Sequence, residues 1–210
     1  MKVVRTPQSR CRAAVARCDI TPPIGIYHRM WGAALHERAT GVHRPLEATL
    51  LWLEPAVPAV GEQLLILALD HCILDAQETR DIRQSVQSAT QVGYENILVT
   101  MSHTHGAGLM SRTRSELPGG ELLGPYLDQL AKQAADLARE AQGRVASATM
   151  SAPVGQNSLS ACTVSSAATL IAWSAPQTRA TSIRLLCRSL MVTSAPCIRI
   201  CCAANCPIIS

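Results

Sequence analysis

Glu95–Gly108, ENILVTMSHTHGAG, is the stretch on which the fold turns. It begins with the β-prone apolar run Ile97-Leu98-Val99-Thr100-Met101 and turns polar at Ser102-His103-Thr104-His105. It closes on Gly106-Ala107-Gly108. Alternate residues of a strand share a face, so His103 and His105 are expected to point the same way from the strand's end. Two imidazoles so placed can share a metal ion, and zinc is the usual partner of nitrogen ligands. The glycines that follow let the backbone turn sharply and leave room beside the pair. HxH alone is a common pattern, and its ordinary explanation is two histidines hydrogen-bonded at a loop entrance.

Upstream of this stretch, residues 76–92, AQETRDIRQSVQSATQV, place Ile82, Val86 and Ala89 on one helical stripe, with Gly93 as the expected C-cap. Before them, Gln63–Leu69, QLLILAL, is a continuous apolar run of strand length that ends in Asp70-His71-Cys72. Strand, helix and strand in about forty residues make a βαβ unit with parallel strands. Asp70-His71 and His103-Thr104-His105 are then expected at one carboxyl edge of the sheet, where open α/β sheets bind ligands. Asp70 and His71 are read as residues bracing or tuning the histidine pair from behind it.

Further out, Leu46–Leu53 and residues 11–20 read as strands, with residues 54–61 as a hairpin connection between the former and QLLILAL. Thr21-Pro22-Pro23-Ile24-Gly25 must be a rigid turn, capped by Asp19, because prolines cannot continue sheet pairing. Residues 27–44 hold His28, His36 and His43 without any clean period and are expected to form a long ordered loop. Downstream, Glu121–Gln142 repeats Leu127, Leu130, Ala134, Leu137 and Ala141 at helical spacing, with Pro125 in the first turn and Gly143 as the stop. Residues 144–152 alternate as one more strand. The fold class is therefore α/β, a layered mixed sheet with flanking helices. The expected organisation is an extension over residues 1–10, a partial α/β domain over 11–155 and an atypical tail over 156–210.

Bulk composition narrows the function classes. No run of eighteen apolar residues exists, so no transmembrane segment is expected, and the basic N-terminus lacks the apolar core of a secretory signal. A cytoplasmic location is the default. The formal charge of +4 is partly a property of the tail, since every Asp and Glu lies at or before Glu140 while five arginines follow it. With 3% aromatic residues and no basic run, nucleic acid is not an expected partner. Six of the nine cysteines crowd the tail, and no CxxC pair occurs, so the cysteines outline neither a zinc finger nor a disulfide framework. Gly106 and Gly108 form no phosphate loop, because no Lys-Ser/Thr follows. Nothing in the residues sets an oligomeric state.

Beyond Asn157 the composition breaks: residues 158–210 contain no Asp, Glu, Lys, His, Gly, Tyr or Phe. A second, unusual subdomain, a poorly ordered tail and a wrong-frame translation all produce such a break, and the last accounts best for its abruptness.

Taken together, Asp19-Ile20-Thr21-Pro22-Pro23-Ile24-Gly25, Gly41-Val42-His43-Arg44-Pro45-Leu46, the apolar strand ending in Asp70 and Ser102-His103-Thr104-His105-Gly106 resemble the N-terminal part of the neutral/alkaline non-lysosomal ceramidase family. The likeness in order and spacing runs along roughly residues 12–155. It implies a zinc-dependent amidase acting on a lipid-like or small amide substrate, cleaving the N-acyl bond of ceramide into fatty acid and sphingoid base. It makes His103 a zinc ligand and places His105 in the site, as general base or as stabiliser of the developing oxyanion. The family also draws a histidine, a glutamate, a tyrosine, a serine and an arginine from later in the chain. Here no histidine, glutamate or tyrosine follows Gly155. The resemblance thus implies an incomplete catalytic domain, inactive alone. A non-catalytic binding domain that keeps the fold, or another HxH metallohydrolase completed by a partner chain, are the competing readings.

Overall fold

The computed structural model describes residues 8–30, 32, 34–151, 163–166 and 183–184. In chain order its elements are β1 (Gln8–Asp19), β2 (Glu47–Pro55), β3 (Leu64–Leu69), α1 (Ala76–Thr90), β4 (Ile97–Met101), α2 (Leu123–Gly143), β5 (Ala146–Ser151), β6 (Thr163–Ser166) and β7 (Ile183–Arg184). Two compact units divide them: Ala14–Glu54 with Pro58–Val145, and Met1–Ala13 with Pro55–Val57 and Ala146–Ser210.

The larger unit is an α/β fold in which a mixed sheet, ordered β4-β3-β2-β1, packs on α1 and α2. Antiparallel pairing sets Ala48, Leu50 and Trp52 of β2 opposite Leu69, Leu67 and Leu65 of β3. Parallel pairing sets Leu65, Leu67 and Leu69 beside Ile97, Val99 and Met101 of β4, as the βαβ reading requires. Because side chains alternate, these residues share one face. That face meets Ile82 and Val86 of α1 and Leu127, Leu130, Ala134, Leu137 and Ala141 of α2 in a single buried cluster. The apolar period of each helix therefore does what its sequence implies: it buries one stripe and leaves the charged side wet.

Local endings differ from expectation in two places. Helix α1 stops at Thr90, with Gln91 as a left-handed cap at φ 65°. The Thr90 hydroxyl donates to the Val86 carbonyl and accepts from the Val92 amide, drawing Val92 into the core before Gly93 is reached. Gly93 instead precedes a short 3-10 turn, Tyr94–Asn96. Helix α2 begins at Leu123 after another such turn, so Pro125 does fall in the first turn, while Gly143 is its last residue rather than its stop.

Near the proline turn, the Asp19 carboxylate accepts from the Thr21 amide at 2.7 Å, the expected cap. Residues 27–44 form no long element, but they are tied down. Gly25 and Ala39 bond through Gly25 N to Ala39 O, the Ala39 amide donates to Ile26 O, and His28 N donates to Glu37 O.

In the smaller unit β1 and β5 pair antiparallel from Gln8↔Ser151 to Ala13↔Ala146, so the first strand begins three residues ahead of the expected Cys11. Strands β6 and β7 continue this pairing, again antiparallel. Apart from these two short strands, the expectation of an irregular tail over 156–210 lies outside the described residues. Among the described residues no helix is long and apolar enough to cross a membrane.

Candidate metal centre

Parallel registration of Leu69 with Met101 aligns the carboxyl ends of β3 and β4, and the Ser102 amide donates to the Leu69 carbonyl at 2.9 Å. The two segments leave the sheet here and meet again where Leu74 and Met110 form a parallel bridge. The Ser111 hydroxyl then donates to the Asp75 carboxylate. Two loops pinned at both ends have little freedom, and what they bring together is Cys72, His103 and His105.

One ligand atom from each of these three side chains lies within 4.8 Å of the other two. Cys72 Sγ is 3.6 Å from His103 Nδ1 and 3.9 Å from Nε2. The imidazoles of His103 and His105 stand edge-to-face, centroids 5.5 Å apart at 68°. Cys72 is buried, whereas both histidines are exposed, so the cluster has a closed floor and a wet mouth. Burial pushes the Cys72 thiol up from its ordinary range, favouring S–H over the bare thiolate.

His103 is oriented by its neighbour. Its Nδ1 lies 3.1 Å from the Cys72 carbonyl oxygen. A carbonyl only accepts, so Nδ1 carries the proton and Nε2 keeps its lone pair, the tautomer a metal requires. The backbone of His103 is left-handed, at φ 55°, a conformation that costs a non-glycine residue on the order of 1 kcal/mol or more. The pair therefore meets through a turn past the end of β4, not through strand alternation as expected. On the far side of this turn, His28 Nε2 donates to the Gly106 carbonyl at 3.2 Å, and the His28 ring stacks on His36. A Cβ on Gly108 would stand 2.9 Å from the His28 backbone, so glycine is what lets the two loops touch.

Asp70 and His71 lie at the same carboxyl edge but turn elsewhere. The Asp70 carboxylate accepts from the Glu47 amide at 3.1 Å. His71 is buried, with Nε2 2.6 Å from the Tyr126 hydroxyl, which itself donates to the Ile20 carbonyl at 2.7 Å. His71 Nε2 is thus the donor to Tyr126, and Nδ1 is a lone pair with no hydrogen-bond partner among the described residues. Desolvation lowers the His71 pKa to about 4, against a smaller opposing pull from Asp70. Both residues anchor the loop that carries Cys72; neither is among the three clustered donors.

Sequence reasoning set Cys72 aside among the cysteines. The signal that could have found it is its place: Asp70-His71-Cys72 follows a strand parallel to the one before His103. A separate open groove of about 630 Å³ lies between α1 and α2. Most of its charges are paired, Arg112 with Asp128, and Lys132 and Arg139 with Asp136, while Asp81 accepts from the Gln77 amide, which marks a solvated surface.

Two imidazole nitrogens and one sulfur so close together form a donor set that could hold a metal ion.

No family profile and no curated protein sequence matches the chain. Solved structures that share its fold include two ceramidases. Neutral ceramidase from Pseudomonas aeruginosa superposes with a TM-score of 0.51 and 18% identity, covering 69% of this chain and 23% of that one. A ceramidase complexed with C2 gives the same TM-score and identity, covering 69% of this chain and 22% of its own. At such identity the likeness is one of fold, and the chain spans less than a quarter of either relative's length.

Proposed function

We propose, taking the fold shared with neutral ceramidases as the premise, that this chain carries part of a zinc-dependent amide hydrolase of that type. The observation that carries the reading is the convergence of His103, His105 and Cys72 at the carboxyl edge of β3 and β4, with His103 Nδ1 held by the Cys72 carbonyl. Zinc bound there would polarise an amide carbonyl or bring the pKa of a bound water towards neutrality.

The chain's own residues hold and orient. His103 supplies the Nε2 lone pair, its ring fixed by the Cys72 carbonyl. His105, exposed and edge-on to it, takes the supporting part, accepting a proton or donating to the developing oxyanion. Asp70 and His71 keep the loop in place through Glu47 and Tyr126. An N-acyl amide with a lipid tail is the substrate class we assign, by analogy with the ceramidases. Because no histidine, glutamate or tyrosine follows Gly155, this chain alone is proposed to bind metal without turnover.

Zinc analysis of the purified chain tests the reading. Near one zinc per chain, lost in a His103→Ala variant whose circular dichroism is unchanged, supports it; no zinc, or zinc indifferent to His103, sinks it. A fluorescent ceramide should stay intact with the isolated chain, and hydrolysis would contradict the incomplete-site part of the proposal. We further take residues 156–210 as a wrong-frame translation. The coding DNA, read in its other two frames from codon 155, should reveal histidine and glutamate; closed frames on both sides would overturn that.

A further inference from the structure

We infer that Cys72 is itself a metal ligand, so that this chain holds its cation with a thiolate and two imidazoles rather than waiting for donors from later sequence. The inference rests on the metal-site reading above and specifies its donors and the class of ion they select.

Three observations support it. First, the neighbours of Cys72 are committed elsewhere: Asp70 to the Glu47 amide and His71 to Tyr126. Of this edge triplet, Cys72 alone lies with the histidines. Second, Cys72 Sγ and His103 Nε2 are 3.9 Å apart. Metal bonds of about 2.3 Å to sulfur and about 2.0 Å to nitrogen, meeting at a tetrahedral angle, set such atoms about 3.5 Å apart. The His103 ring must still turn to aim the Nε2 lone pair at a shared ion, because Sγ lies 3.6 Å from Nδ1 as well. Third, Cys72 acts on His103 twice, because its carbonyl holds Nδ1 while its sulfur lies beside the ring. A residue that fixes the tautomer of one ligand and presents a second donor builds most of a coordination shell.

On binding, the Cys72 S–H bond breaks, its proton passes to solvent, and a sulfur lone pair forms the metal–sulfur bond; no oxidation state changes. Thiolate and imidazole donors select zinc, cobalt or cadmium and discriminate against magnesium, calcium and manganese, which prefer oxygen. Three protein donors would leave one tetrahedral position for water or another ligand.

The test uses the full chain, stripped of metal under reducing conditions and titrated with cobalt(II). Visible absorption reports that cobalt is bound, and a thiolate-to-cobalt charge-transfer band in the near ultraviolet reports that sulfur is bound to it. We expect one cobalt per chain with both features, unaffected by excess magnesium. In Cys72→Ser the near-ultraviolet band should vanish and affinity should fall. Losing a ligand should weaken binding by no less than losing a group behind one, about ten- to a hundredfold. Cobalt bound by the wild-type chain without the charge-transfer band would overturn the role of Cys72 and leave the two-histidine site standing, an outcome that needs no variant to fold. A band that persists in Cys72→Ser would assign the sulfur to another cysteine and overturn it equally. Absence of bound cobalt would remove both readings together.

Discussion

Lowering the pH from about 7 to about 5 should weaken the larger unit by about 2 kcal/mol through His71 alone. His71 is buried against Tyr126, and its second nitrogen has no partner among the described residues to welcome a proton. Its pKa in the fold is lowered from 6.5 to about 4. The unfolded chain therefore takes up the proton first as pH falls, which favours unfolding. The contribution is intact above about pH 6.5, declines as the solution is acidified and levels off near pH 4, by then amounting to roughly 3 kcal/mol. Carboxylates also titrate on the way down, so the quantity to read is a difference. His71→Gln keeps an N–H able to donate to Tyr126 but cannot ionise. Urea unfolding of both proteins, with a chelator present, should give stability curves that converge on acidification by about 2 kcal/mol between pH 7 and 5. Parallel curves would refute the reasoning, whatever the offset between them.

Tyr126→Phe removes both the hydroxyl that accepts from His71 and the donor to the Ile20 carbonyl, leaving two buried groups unsatisfied. Chemical denaturation should show a loss of about 1–3 kcal/mol, and an unchanged midpoint would mean that this network contributes nothing. Gly119→Ala should be at least as damaging. Gly119 sits at φ 85°, and an added Cβ would collide with the Gly25 carbonyl oxygen, so the loop it packs on must shift. A loss of about 2 kcal/mol or more is expected in thermal or urea unfolding, and wild-type stability would show that the loop yields freely.

The parts of this molecule that could be read from sequence are those whose cause is local. QLLILAL and ILVTM are buried strands because uninterrupted apolar runs leave them little else to be, and the helical stripe between them dictates a parallel βαβ unit. What could not be read arises from contacts between distant segments. Pairing of β1 with β5 joins Gln8 to Ser151, and no local pattern announces it. The candidate site divides along the same line. His103 and His105 are visible as a motif, but the turn that brings them together depends on a left-handed residue at His103, where glycine would have been the expected choice. Cys72 was obscured by eight other cysteines, most of them in the tail. Its position became meaningful only when the Leu74–Met110 bridge laid its loop along the histidines. His28 offered no period at all, and it braces the Gly106 turn across 78 residues of sequence.

X-ray absorption at the zinc edge of the zinc-loaded chain tests the centre itself. The account predicts one sulfur at about 2.3 Å together with nitrogen or oxygen neighbours at about 2.0–2.1 Å, with imidazole scattering present. A shell of nitrogen and oxygen alone, or zinc too loosely held to survive dialysis, would contradict it.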